Sequence, residues 1–288
     1  MELLKALLFG ILEGITEWLP VSSTGHLILL DQIVHLSVGE SLGTTFSEAF
    51  ASMFDVVIQL GAIGAVLMRY FRRLFPFFGV RARCRSTVRL YGRLAVSGIP
   101  AAVVGILGDR LLLIATGNDL DGLLYRSAVV AAMLIAVGAV FLIPEAQLPR
   151  LGTPAESLED VSIGKAFEIG CFQALSIVPG VSRSGATILG GMMLGLPRAT
   201  AAEYSFLLAI PTMAGASLLK VLRFAIYVIE GGIRIPLEAY AVLAVGMLSA
   251  FLVSLLAIDF LLGFVRNHSF VSFGIYRILL GIAVLLIL

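Results

Sequence analysis

The stretch Glu13–His26, EGITEWLPVSSTGH, decides how this chain is built. It lies in an apolar run from about residue 3 to 34, and the break at Pro20–Gly25 divides that run into two half-length helices. Neither half can cross a bilayer, because a spanning helix needs about 20 apolar residues. A second run, 163 to 196, is divided the same way by PGVSRSG at Pro179–Gly185. Non-helical backbone at membrane depth survives only where protein buries it or a wet cavity solvates it. Both runs therefore read as re-entrant helical hairpins, and their tips are the expected place for a site.

The remainder of the chain supplies the membrane around those tips. Of 288 residues, 59% are apolar and 14% charged, against about 25% charged in a soluble domain. The mean hydropathy is +1.03, so the surplus apolar surface must face lipid. Spans are expected at roughly 49–70, 94–114, 123–143, 202–229, 239–263 and 270–288. The fold class is thus all-α and integral to the membrane, with about six transmembrane helices plus two re-entrant hairpins. A net charge of +1 excludes a nucleic-acid footprint, and the same composition excludes disorder. Cys84 and Cys171 have no metal-ligand spacing and carry no chemistry. With Glu2 before Lys5 and no small-residue cleavage site, the N-terminus is expected to be retained.

Eight of the twenty basic residues, Arg69, Arg72, Arg73, Arg81, Arg83, Arg85, Arg89 and Arg93, fall in one connection without an acid among them. That connection is expected to be cytoplasmic. Counting outward places the N-terminus, the loop with Asp109, Asp119 and Asp121, and the C-terminus outside. The first hairpin then enters from the external face and the second from the cytoplasmic face. An internal repeat agrees with this. Val21–Gly25 matches Val181–Gly185 at an offset of 160, Gly98–Ala102 weakly matches Gly246–Ala250 at 148, and Tyr125-Arg126 matches Tyr276-Arg277 at 151. Each half, 1–143 and 163–288, would hold one hairpin and three spans, an odd number that inverts the second half. Residues 144–162, with Pro144, Pro149, Pro154, Glu156, Glu159 and Asp160, form the cytoplasmic linker.

Within the tips, Glu13 and Glu17 share one helical face. Two adjacent carboxylates do not both stay ionised in low dielectric without a cation beside them. A divalent cation, Mg²⁺ or Ca²⁺, suits such oxygen ligands; water at the membrane surface is the alternative. His26 follows Ser22, Ser23 and Thr24 within reach of both acids and fits a general acid or base, or else a hydrogen-bonded filler. His35 and His268 read as solvated or structural. Arg183 is the one charge in the second tip, and its fork suits phosphate oxygens, or an ion pair to Glu13 or Glu17. Gly180 and Gly185 allow backbone donors to approach an anion. No Gly-x-x-x-x-Gly-Lys loop supports nucleotide binding. An acidic and a basic half-site together point to a phosphoester or diphosphate in a membrane, bridged to the acids by a cation.

Glu13–His26 and Pro179–Thr187, PGVSRSGAT, resemble the two signature motifs of the bacterial undecaprenyl-diphosphate phosphatases of the bacitracin-resistance type. Phe54–Gly61, Gly170–Gln173 and Glu203–Pro211 also resemble family segments, with Asp55 where Glu is expected and Tyr204 where Phe is common. The resemblance implies a multi-pass enzyme of the bacterial inner membrane, its site open to the external side. It would convert undecaprenyl diphosphate to the monophosphate carrier lipid of cell-wall synthesis, with bacitracin competing for the lipid. It further implies that Glu13 and Glu17 support the cation or a proton transfer, that Ser23 and His26 act at phosphorus, and that Arg183 holds the diphosphate. Ser22, Ser182, Ser184 and Thr187 would assist binding, and a homodimer is expected. Attack by Ser23, by His26 or by an activated water all fit the motif; Ser23 with Glu17 or His26 as base is favoured. A polyprenyl-phosphate transporter or flippase is the alternative, since inverted repeats with broken helices are also a transporter architecture. A phosphatidic-acid-type phosphatase would need a second His followed by Asp, and no His follows Arg183 until His268.

Overall fold

Inside a bilayer, burying a leucine against protein gains little over burying it against lipid, so close approach between small residues decides which helices pair. The computed structural model describes every residue except 40–41, 76–80, 117–123, 125, 144–146, 150, 153, 156 and 288, and omits the side chains of 81–84, 109, 112, 115 and 116. The expectations for Asp119, Asp121, Tyr125, Pro144 and Glu156, and for the side chains of Arg81, Arg83, Cys84 and Asp109, lie outside the described residues.

Among the described residues the chain is helical, with no strand. The first broken run forms α1 (Glu2–Thr16) and α2 (Ser23–Ile33). α3 (Thr44–Val57) and α4 (Gln59–Arg69) follow almost without interruption, α5 (Phe71–Leu74) is one turn, and α6 (Arg81–Thr116) and α7 (Ser127–Phe141) complete the first half. The second broken run forms α8 (Ile163–Ala174), a 3₁₀ turn at Leu175–Ile177, and α9 (Arg183–Met193). α10 (Arg198–Glu230), α11 (Leu237–Asn267) and α12 (Val271–Ile287) close the chain.

One expectation is met in part and another changes. Four helical stretches, Thr44–Arg69, Arg85–Gly108, Arg198–Glu230 and Leu237–Asn267, are long and apolar enough to cross a membrane. The segments expected as spans at 123–143 and 270–288 form the shorter apolar helices α7 and α12, of 15 and 17 residues. The basic stretch 69–93, expected as a connection, is partly helix, because α6 begins at Arg81. Arginine, alanine and leucine are good helix formers, and no proline follows Arg81 until Pro100. Arg69 pairs with Asp259 at 2.8 Å and Arg73 with Glu159 at 2.7 Å, while Arg93 donates to the Leu158 and Glu159 carbonyls, tying this basic face to α11 and the linker.

Helix pairing is reciprocal. α1 lies along α11, and α8 lies along α6; α7 packs on α12, and α10 on α3 and α4. Gly10 and Gly14 of α1 face Gly246, Ser249 and Ala250 of α11, so that a Cβ on Gly14 would stand 2.8 Å from the Ala250 carbonyl oxygen. Gly170 of α8 meets the Ser97 carbonyl and Pro100 of α6 in the same manner. At that crossing Ser97 Oγ donates to the Ala166 carbonyl and is bonded to Tyr204 Oη at 2.7 Å, a partner that phenylalanine would not offer. Between these pairs the aromatic face of α3, Phe46, Phe50 and Phe54, meets Phe9 of α1 and Phe224 of α10. Leu248, Leu252, Leu256 and Phe260, each four residues apart on α11, point outward and form a lipid-facing stripe.

Candidate active site

The two broken pairs end in the same local device. Ser22 and Ser182 have φ of 72° and 70°, a region that costs a non-glycine residue about 1–3 kcal/mol. The strain is offset by capping: Ser22 Oγ accepts from Gly25 N–H at 3.5 Å, and Ser182 Oγ from Gly185 N–H at 3.1 Å. Each serine turns the backbone so that the next residue, Ser23 or Arg183, opens a helix directed back from the tip.

Ser23 and Arg183 converge on one carboxylate. Ser23 Oγ donates to Glu17 Oε2 at 2.8 Å, while Arg183 Nη2 and Nε donate to Glu17 Oε1 at 3.0 and 3.3 Å. Glu17 is 6% exposed, so this contact is made where water is scarce. Arg183 Nη1 donates to the Ser205 carbonyl at 2.7 Å, and its guanidinium lies 5.7 Å from the Trp18 ring centroid. A guanidinium carries five N–H donors, which leaves an Nη2 N–H for a further acceptor. Of the two readings of Arg183, the ion pair with Glu17 is therefore the one seen in this state.

Glu13 lies one turn below Glu17 and is fully buried, and neither of its carboxylate oxygens has a hydrogen-bond partner among the described residues. His26 is turned away from Ser23. Its Nδ1 lies 2.7 Å from the Ser22 carbonyl and its Nε2 2.7 Å from Tyr276 Oη, with the two rings stacked 9° from parallel. A carbonyl only accepts, so Nδ1 carries the proton, and in the neutral ring Tyr276 donates to Nε2. Ser184 Oγ donates to the Leu19 carbonyl of the first tip at 3.2 Å. Thr187 Oγ1 donates to the Arg183 carbonyl at 2.8 Å and bonds Ser205 Oγ at 2.6 Å, so these two hydroxyls brace the tips. His35 pairs with Asp31 and His268 bonds the Phe264 carbonyl, both at exposed positions.

Three neighbours of the site were not in the sequence reading of it. Ser205 leaves no signal, being one serine among the apolar residues of a long helix. Tyr276 and Arg277 were visible as a repeat match, and Arg277 as the one charge in the final apolar segment. Such a charge is a functional candidate by its cost alone.

The family model described as bacitracin resistance protein BacA matches residues 6–283. The chain belongs to this family. Among its relatives, a protein of Enterococcus faecalis named undecaprenyl-diphosphatase is 43% identical over 291 residues, covering 100% of this chain and 97% of the relative. The undecaprenyl-diphosphatase of Streptococcus mutans is 46% identical over 286 residues, covering 99% and 95%. That of Streptococcus pyogenes is 45% identical over 283 residues, covering 98% and 94%. Both tips, α10 and the α12 residues Tyr276 and Arg277 lie within the family match.

Proposed function

We propose that this chain is a multi-pass membrane undecaprenyl-diphosphatase, which hydrolyses undecaprenyl diphosphate to undecaprenyl phosphate and inorganic phosphate. The relatives' shared name supports the phosphatase over the transporter. The observation that carries the chemistry is the convergence of Ser23 Oγ and the Arg183 fork on Glu17. A serine hydroxyl donating to a buried carboxylate is an alcohol with its base in place.

In this reading Ser23 Oγ attacks the terminal phosphorus and its proton passes to Glu17 Oε2. The bond from phosphorus to the bridging oxygen breaks, and undecaprenyl phosphate leaves with that oxygen. Water then attacks the phosphoserine, the bond from phosphorus to Ser23 Oγ breaks as Oγ takes back the proton on Glu17, and inorganic phosphate departs with the oxygen and protons of the water. Arg183 aligns Glu17 through two N–H groups and offers its remaining Nη2 N–H to a phosphate oxygen. Ser22 and Ser182 set the tip backbone, and Ser184 and Thr187 brace it. His26 lies behind Ser22, outside the proton transfer just described, and its unprotonated Nε2 makes it a base for a nearby water once Tyr276 moves aside.

A divalent cation, Mg²⁺ or Ca²⁺, fits the residues present. Neither oxygen of the fully buried Glu13 carboxylate lies in hydrogen-bonding geometry with a partner among the described residues, and Glu17 lies one turn away. These two carboxylates would hold the ion, with phosphate oxygens completing its shell. When bound it would neutralise charge on the diphosphate.

The architecture belongs to the same proposal. An inverted repeat of one hairpin and three helices per half is supported by the exchanged pairs α1–α11 and α8–α6, by Gly10 and Gly170 at equivalent crossings 160 residues apart, and by the paired positive-φ serines. The inner membrane, a site open to the external face, bacitracin as competitor for the lipid, and a homodimer complete the reading. The test is phosphate release from undecaprenyl diphosphate by purified wild type, Ser23→Ala and His26→Ala, with and without EDTA. Release abolished by Ser23→Ala supports the serine; no release from folded wild type with any cation returns the chain to lipid transport.

A further inference from the structure

Arg277 is a fully buried charge that the chemistry above leaves unused. From α12 its Nη1 donates to the Pro20 carbonyl of the first tip at 3.1 Å. Its Nη2 donates to the Gly180 and Val181 carbonyls of the second tip at 2.5 and 3.0 Å. Its Cζ stands 6.0 Å from the Phe141 ring, and among the described residues no carboxylate pairs with it. Tip residues lie outside regular helix, so these three carbonyls have no helical partner, and a buried carbonyl without one is costly. One planar group answers all three.

Consequently we propose that Arg277 is the positioning residue that holds the two tips in register. The guanidinium is rigid and its donors point in fixed directions, so it sets the distance between Pro20 on one tip and Gly180 on the other. Glu17 and Ser23 belong to the first tip and Arg183 to the second. The inference rests on that site reading, because the register of the tips is the geometry in which Arg183 meets Glu17. The salt bridge between Arg183 and Glu17 also joins the tips, and a phosphate bound at Arg183 would compete for it. Arg277 joins them independently of that pair, through three backbone carbonyls. An ammonium in its place keeps the charge but cannot span both tips.

Trp18 makes the register observable. It is the sole tryptophan of the chain, fully buried beside Glu17, with Arg183 over its ring and Phe206 edge-on at 5.2 Å. The experiment compares wild type, Arg277→Lys, Arg277→Ala and Ser23→Ala in lipid nanodiscs, by phosphate-release kinetics and by Trp18 emission and acrylamide quenching. A misplacement of about 1 Å can cost about 10²-fold in rate. Arg277→Lys should therefore lower kcat by about 10²-fold or more while KM changes by less than about threefold. Trp18 emission should shift in both Arg277 variants and not in Ser23→Ala, and millimolar guanidinium, but not methylammonium, should restore part of the Arg277→Ala activity. A folded Arg277→Lys with wild-type kcat, or lost activity with unmoved Trp18 emission and no rescue, overturns the proposal. So does failure of both Arg277 variants to fold where Ser23→Ala folds, which would assign Arg277 to the fold alone. Full activity of Ser23→Ala would instead overturn the site reading, and the Trp18 readout of the register would stand apart from it.

Discussion

Replacing Arg183 by lysine removes the fork while keeping the charge. In the wild type Nη2 and Nε donate to Glu17 Oε1 at 3.0 and 3.3 Å, and Nη1 donates to the Ser205 carbonyl at 2.7 Å. A lysine ammonium at the end of a flexible stem can keep contact with either Glu17 or Ser205, but not with both in the same alignment. At least two hydrogen bonds involving a charged group are lost, each contributing about 1.5–3 kcal/mol, or about 3–6 kcal/mol together. These bonds orient the carboxylate that accepts the Ser23 proton, so most of the loss should fall on the chemical step. At about 1.4 kcal/mol per decade, the expected drop in kcat is about 10²–10⁴-fold. The assay is phosphate release from undecaprenyl diphosphate at saturating substrate, with folding checked by thermal melting. A folded Arg183→Lys enzyme within tenfold of wild type would refute the reasoning, because Glu17 would then be aligned without the fork.

Glu17→Gln keeps the shape but removes the base for Ser23, and kcat should fall at least as far as in Arg183→Lys; the concentration of Mg²⁺ or Ca²⁺ giving half-maximal rate should also rise, as read by titrating the cation. EDTA should abolish phosphate release by the wild type and either cation should restore it, whereas full activity after exhaustive chelation would remove the ion from the proposal. Gly14→Val should reduce stability by about 1–3 kcal/mol or more, since even a Cβ meets the Ala250 carbonyl and Val253, and melting in detergent should show it while Gly263→Ala, in open space, melts like the wild type.

The tips were legible because proline, glycine and serine interrupting an apolar run have few structural uses in a membrane. Both half-helix pairs formed where Pro20–Gly25 and Pro179–Gly185 indicated. The approach of Glu17, Ser23 and Arg183 was legible as chemistry, though spacing could not distinguish an ion pair from an anion site at Arg183. α12 follows the expected segment closely, whereas α7 is shorter than expected, since hydropathy does not register where backbone hydrogen bonding stops. The start of α6 at Arg81 was hidden for the opposite reason, charge being read as loop where the local residues favour helix. Tyr276 on His26 and Ser205 on Arg183 are meetings between residues 250 and 22 positions apart, and nothing in a single sequence announces such a meeting.

The pairing of α1 with α11 bears on how the protein is made. A ribosome adding about 5–20 residues per second needs roughly 10–50 s to proceed from the end of α1 at Thr16 to the end of α11 at Asn267. Throughout that interval the first hairpin, with Glu13 and Glu17 on it, lacks the surface against which it finally rests. The nascent chain must wait at the bilayer boundary or in the care of the insertion machinery, and a truncated product ending before α11 would leave two carboxylates seeking shelter. Biogenesis, more than the finished structure, is where this topology is most exposed to quality control.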